Sequence, residues 1–219
     1  MVMNHYEQGS QEWLKARAGR FTSSEIYRLV TQPRTKAQRE AGELSEGAKT
    51  YCFEKACAVA FDWQKPFEGN YATEHGNEWE PIAIDYYDKH MALFPVERTG
   101  FIPHGNISGG SPDAIEGGDT IIEIKCPANE MNFFKFVADG EYPEQYYWQV
   151  QDLMRITGCT SARLVYFNPN MVEKGYKPAY AIEIKRNEDD IARIKERLVK
   201  AVAYRDELIN DLTEKLCII

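Results

Sequence analysis

Three side chains near the middle of the chain, Asp113, Glu123 and Lys125, have the types and spacing needed to cut a phosphodiester. A hard divalent cation such as Mg²⁺ takes oxygen ligands, usually one or two carboxylates plus waters, a carbonyl and the substrate phosphate. Asp113 and Glu123 supply the carboxylates, and the main-chain carbonyl of Ile124 can add a third oxygen. Such an ion lowers the pKa of a bound water and neutralises phosphate charge, while an ammonium beside it orients the nucleophile and stabilises the charge that develops. Lys125 is placed for that role.

These groups can meet only if strands carry them. Ile107-Ser108-Gly109-Gly110 runs into Ser111-Pro112-Asp113, the Glu116-Gly117-Gly118-Asp119 cluster is turn chemistry, and Thr120 to Cys126 alternates with period two. The reading is a hairpin with Glu123 and Lys125 on one face, Ile122 and Ile124 on the other toward a core, and Asp113 beside the first pair. A solvated surface hairpin would also show Glu-x-Lys. Pro112 directly ahead of Asp113, the apolar partners and the closing Cys126-Pro127 favour an active-site strand. The pattern Pro-Asp, nine residues, Glu-x-Lys resembles the signature of the PD-(D/E)xK nuclease superfamily.

The 219 residues, 43% hydrophobic and 12% aromatic, fit one globular domain over 1–219 with a full core. No run approaches a membrane span, and the start, Met1 to Tyr6, lacks the basic flank and apolar core of a signal peptide, which points to the cytoplasm. Five cysteines without CxxC pairing read as reduced thiols, and the four scattered histidines suggest no metal cluster. A net charge of −8 is unusual for a nucleic-acid protein, but residues 1–40 hold seven Lys or Arg against four Glu, net +3, leaving −11 elsewhere. The N-terminal segment is therefore where DNA contact is expected.

Ser10 caps a helix from Gln11 to about Ala18, and Thr22-Ser23-Ser24 starts another from Glu25 to Val30. Arg17 and the hydroxyls at that second start could hold a phosphate, although on the residues alone a surface Arg and an ordinary cap account for them better. Thr31 to Glu46 reads as a polar, basic loop from which Arg34, Lys36 and Arg39 could reach DNA. Helices follow over Gly47–Phe61 and about Thr73–His90, joined by Asp62–Asn70; Glu80 on the second is a further acid, favoured there by the helix dipole as well. After a strand over Phe94–Phe101 and the hairpin come helices Glu130–Ala138 and Pro143–Thr157, the latter carrying Gln149. Strands Ser161–Phe167 and Ala179–Lys185 make a second hairpin. A last helix capped by Asn187 carries an apolar stripe from Ile191 to Leu212 that needs cover from the sheet or a neighbouring subunit. The order is α/β, a central mixed sheet flanked by helices.

Taken together, these blocks resemble the lambda-type exonucleases, also called YqaJ-like viral recombinases. The matching residues are Trp13 to Gly19 with Thr22-Ser23-Ser24-Glu25, Pro33-Arg34, Gly76 to Glu80, Ser111-Pro112-Asp113, Glu123 to Pro127 and Gln149-Val150-Gln151. The resemblance implies a restriction-endonuclease-like core and a Mg²⁺-dependent enzyme, Mn²⁺ able to substitute and two ions per site. It would digest one strand of duplex DNA from a 5′-phosphorylated end, releasing mononucleotides and leaving a 3′ overhang for a single-strand annealing protein. It implies Asp113, Glu123 and the Ile124 carbonyl as metal ligands, Glu80 as an outer ligand of a second ion and Lys125 as the catalytic lysine. Arg17, Ser24, Ser111 and Gln149 would form the pocket for the 5′ phosphate, Arg34 would insert into the DNA, and three subunits would form a ring. One departure stands out: relatives carry an apolar wedge shortly before the Gly76 block, where Ala72-Thr73-Glu74 offers none and Tyr71 is the candidate substitute.

Two other readings remain at this level. One is an endonuclease or RecB-like module with the same metal chemistry and no need for a terminal phosphate. The other is a DNA-binding recombination subunit with a degenerate site, against which the intact Asp113, Glu123 and Lys125 argue.

Overall fold

The computed structural model describes residue 6, residues 10–63 and residues 71–217, except the side chains of 72 and 73. The N-terminal part is helical: α1 (Gln11–Arg17), a short strand β1 (Phe21–Thr22), a 3-10 turn (Ser23–Glu25), α2 (Tyr27–Val30), α3 (Lys36–Glu40), α4 (Glu46–Phe61) and α5 (Tyr71–His90). Strands β2 (Val96–Arg98), β3 (Ile102–His104), β4 (Ser108–Gly110), β5 (Ala114–Glu116) and β6 (Thr120–Lys125) follow, then α6 (Glu130–Asp139) and α7 (Glu144–Thr157). The chain continues with β7 (Ser161–Phe167), α8 (Asn170–Glu173), β8 (Ala179–Lys185) and α9 (Glu188–Leu216).

Five strands form a mixed sheet in the order β2-β5-β6-β7-β8, antiparallel except for the parallel β6–β7 pair. Its centre, β6, is buried on both faces, which is why Ile121, Ile122 and Ile124 all lie in core. On one face Ile121 and Leu164 pack with Val150, Leu153 and Met154 of α7 and with Phe133 and Phe136 of α6. On the other, Ile122, Ile124 and Val165 pack with Ala83, Ile84 and Tyr87 of α5. Each buried Ile, Leu, Val, Met or Phe among them contributes about 1.5–3 kcal/mol by burial, so the sheet centre is the rigid part on which a site can be built.

A second sheet, β1-β4-β3, packs beside α7. Its middle strand uses Gly109 and Gly110 because there is no room for more: a Cβ on Gly110 would strike the Ser23 hydroxyl and Leu153, and one on Gly109 would strike the Phe101 ring. The segment before Asp113 thus belongs to this sheet and not to the hairpin, whose arms are β5 and β6. A helical layer of α2, α4 and α9 buries Leu29, Val30, Ala48, Tyr51, Ile194, Leu198 and Ala201 together. Helices α2 and α4, not the sheet or another subunit, cover the first half of the α9 stripe.

Other expectations change in detail. The helix expected from Glu25 begins as a 3-10 turn after β1, because Thr22 pairs with Gly109 and the Ser23 hydroxyl bonds Asp152. The Thr31–Glu46 loop contains α3, capped by Thr35, and the Phe94–Phe101 strand shortens to β2. Most of the Asp62–Asn70 connector, from residue 64, lies outside the described residues, as do residues 1–5 and Ile218-Ile219. Among the described residues no helix is long and apolar enough to cross a membrane.

Candidate active site

Ala114 of β5 pairs with Ile122 of β6, so one step further Asp113 faces Glu123 across the ladder. The step after that would set Ile124 against Pro112, which has no N–H to give. The ladder stops there. The Ile124 N–H turns to Asp113 Oδ2 at 2.6 Å, and the Pro112 carbonyl accepts from the Thr99 hydroxyl. In an antiparallel strand a residue's N–H and C=O face the same neighbour, so the Ile124 carbonyl is left toward Asp113 without a ladder donor. This is the physical content of a proline directly ahead of the aspartate.

Glu123 is 2% exposed. Its Oε1 accepts two bonds at 2.6 Å, from Lys125 Nζ along the strand and from Gln149 Nε2 on α7. Its Oε2 is buried with no partner. The sequence reading expected a core behind Ile122 and Ile124 only; α7 closes the Glu123 face as well. Lys125 also lies 4.7 Å from the centroid of the Tyr146 ring on α7, a cation–π contact. Burial alone would depress the Lys125 pKa, but Glu123 and Asp113 outweigh it and hold the ammonium above its usual value. Burial pushes the Asp113 carboxyl well above the usual range, helped by Glu123 and Glu80. Helix α5, on the opposite face, supplies Glu80, whose pKa is raised by burial and then by Glu123.

Three acids thus repel one another around one lysine. Among the described residues no three His, Cys, Asp or Glu side chains close on a single point as a ready-made cage. Mg²⁺ does not need one, since it keeps several waters and is commonly held by one or two carboxylates. The unpartnered Glu123 oxygen, the Asp113 carboxylate and the Ile124 carbonyl are the donors that fit a hard cation, and its charge would relieve the repulsion that raises Asp113 and Glu80.

The residues expected at a terminal phosphate are linked through intermediaries. Arg17 stacks on Trp13, 4.1 Å from its ring centroid, and Trp13 Nε1 donates to Ser111 Oγ at 3.3 Å. Ser24 is exposed and sits 3.4 Å from the Thr22 hydroxyl. Asp152, missed in the sequence, ties this region to the carboxylates: it accepts from Ser23 Oγ and Arg155 Nε, each at 2.7 Å, three residues beyond Gln149 on α7. Its one sequence signal was the Asp–Arg pair at i,i+3. The sequence reading also missed Lys55, half-buried on α4. The other expected DNA contacts sit apart. Arg34 is exposed, Lys36 pairs with Glu40 at 3.6 Å, and Arg39 Nη1 donates to the carbonyls of Pro33 and Arg34. Tyr71, the candidate wedge, opens α5 and is 73% exposed.

A mixed sheet flanked by helices, with Asp and Glu-x-Lys at the ends of adjacent central strands, is the restriction-endonuclease-like α/β fold of the PD-(D/E)xK class. Within it, residues 12–160 match the YqaJ-like viral recombinase domain, and the chain belongs to that family. It is similar to an alkaline exonuclease from Laribacter hongkongensis, at 27% identity and a TM-score of 0.78 over 94% of this chain and 97% of that one. The same exonuclease in complex with dAMP matches at 26% identity and a TM-score of 0.79, over 94% and 97%. A phage-related exonuclease from Haemophilus somnus 129PT matches at 26% identity and a TM-score of 0.73, over 88% and 96%. No curated protein matches the sequence.

Proposed function

We propose that the chain is a metal-dependent 5′→3′ exonuclease acting on linear duplex DNA. The observation that carries this reading is the buried, unpartnered oxygen of Glu123, a residue set opposite Asp113 across the ladder, with Lys125 bonded to its other oxygen. The exonuclease relatives and the nucleotide complex of one of them support it.

Asp113, Glu123 and the Ile124 carbonyl would hold the ion, with Glu80 available to a second. When bound, Mg²⁺ supplies a nucleophilic water at neutral pH and charge for the phosphate. Lys125, kept protonated by Glu123 and Asp113, donates to the oxygens on which charge builds as the P–O bond breaks. Gln149 orients Glu123 from α7, and Tyr146 keeps water from the lysine's flank. Arg17, Ser24 and Ser111 receive the terminal phosphate, with Gln149 adjoining, and Arg34 contacts the duplex. The product is a mononucleotide and a 3′ overhang suited to a single-strand annealing protein; a ring of three subunits would keep the enzyme on its substrate.

The test uses linear duplexes with 5′-phosphate or 5′-hydroxyl ends and a closed circle, each with Mg²⁺ or EDTA. Release of mononucleotides from phosphorylated ends, only with metal, is expected. Cutting of the circle would make the enzyme an endonuclease, and cutting of nothing would leave a DNA-binding subunit.

A further inference from the structure

Helix α4 presents Tyr51, Lys55 and Val59 on one face at i, i+4 and i+8, toward α1 and β1. Val59 is the atom group a Cβ on Gly19 would meet, and the Tyr51 hydroxyl accepts from the Thr22 N–H at 2.9 Å. The Thr22 hydroxyl lies 3.4 Å from Tyr51 Oη on one side and 3.4 Å from Ser24 Oγ on the other. Lys55, between the two fixed points on α4, rests with its ammonium 5.1 Å from the Tyr51 ring centroid.

The charges around Tyr51 do not balance. Arg28 lies 4.5 Å over the same ring and is satisfied, donating to Glu25 at 2.9 Å and to both oxygens of Glu54 at 2.9 and 3.2 Å. Those two carboxylates serve one cation. Among the described residues neither Arg17 nor Lys55 has a carboxylate within ion-pair distance, and both are partly withdrawn from water. Burial lowers the pKa of each; for Lys55, Glu25 opposes the shift and Arg17 adds to it. Glu25 acts on both cations from beyond ion-pair distance, and two neighbouring cations with no carboxylate in contact become more favourable once a multivalent anion lies between them.

We infer that Lys55 completes, with Arg17 and the Ser24 hydroxyl, a two-cation receptor for the terminal 5′-phosphate of the DNA. The inference rests on the proposed specificity for 5′ ends. A phosphomonoester carries about 1.5–2 negative charges near neutral pH, against one for each internal phosphodiester. One arginine would bind either; a second cation rewards the terminal group. Lys55 therefore determines end specificity and stays apart from bond cleavage.

The experiment compares K55M, which keeps the apolar stem on Tyr51, with K55R and R17A. Two quantities are read: kcat and KM on 5′-phosphoryl and 5′-hydroxyl duplexes, and binding of the same duplexes by anisotropy without divalent metal. K55M should lose about tenfold or more of the phosphoryl preference, as expected for one charge-assisted bond. The loss should fall in KM and in metal-free binding, with kcat at saturation little changed, and K55R should restore most of it. An unchanged preference in K55M, or an equal loss on both ends, overturns the inference. If R17A alone loses the preference, only Lys55 is misassigned; if neither variant loses it, the 5′-phosphate reading itself fails.

Discussion

Gln149 on α7 and Glu123 on β6 meet at 2.6 Å, and the oxygen they share also accepts from Lys125. With that oxygen doubly bonded, the carboxylate is held in one orientation, and its other oxygen is buried without a partner. Glu123→Gln keeps the shape but replaces one carboxylate oxygen by an NH₂ group, so hydrolysis should fall to background while the fold persists. Lys125→Met should lower kcat by about 10²–10³-fold, the size of losing one donor to developing charge. Circular dichroism and single-turnover digestion check both; near-normal turnover in Glu123→Gln would move the chemistry elsewhere.

Mg²⁺ should stabilise the protein against heat, because the ion relieves the repulsion among Asp113, Glu123 and Glu80. Saturation to 100 times the dissociation constant corresponds to about 2.7 kcal/mol. The rise in Tm should vanish in Asp113→Asn, and EDTA should reverse it in the parent chain. An equal rise in the variant would indicate binding at another place.

Asp152 is fully buried and holds Ser23 on one side and Arg155, whose side chain is 4% exposed, on the other. Asp152→Ala would strand that guanidinium, which costs about 3–5 kcal/mol for a broken buried pair. Urea midpoints measure it. Ser23→Ala should cost less, about 1.5–3 kcal/mol, since the Asp152 carboxylate loses one donor and keeps Arg155, and the long bond to the Gly109 carbonyl adds little.

The β5–β6 hairpin was legible in the sequence because period-two alternation and a Gly-Gly turn act locally. Helices α4, α6, α7 and α9 were legible for the same reason, from spacing and caps. What was hidden depends on partners distant in the chain. Ser23 gives its hydroxyl to Asp152, and with Thr22 drawn into a strand beside Gly109 the expected helix start is displaced. Lys55 looked like any lysine on a helix, since only folding shows that Glu25 and Glu54 are already occupied by Arg28. The membership of β4 in a second sheet was likewise hidden, because Gly109-Gly110 carries no side chain to mark its face.

Glu116 gives a pH prediction. Burial alone would raise its pKa, but bonds from Tyr87 at 2.5 Å, the N–H groups of Leu93 and Phe94 and the Arg163 guanidinium at 2.7 Å lower it overall. A depressed carboxyl pKa stabilises the fold above its unfolded value, and that contribution is lost as pH falls through the folded value. Glu116→Gln should therefore cost about 1–3 kcal/mol at pH 7, the worth of a charge-assisted bond, and the gap to the parent should shrink below about pH 4. A gap that is constant with pH would mean the glutamate acts by shape alone.

Arg39 Nη1 donates to the carbonyls of Pro33 and Arg34 at 2.9 and 2.7 Å, which clamps the turn that carries the exposed Arg34 side chain. If Arg34 meets a phosphate, Arg34→Ala should weaken duplex binding and reduce the slope of log K against log salt by about 0.9, the release of one counterion. Arg39→Ala should weaken binding by a similar factor, because the freed turn must be reordered on DNA. The two losses should not add in the double variant, since both act through the one contact. Lys36→Ala removes an exposed charge paired with Glu40, and a smaller slope in that variant too would make Lys36 a further phosphate contact. Additive losses with a slope change for each residue would instead make Arg39 a second phosphate contact and leave the clamp without a function in binding.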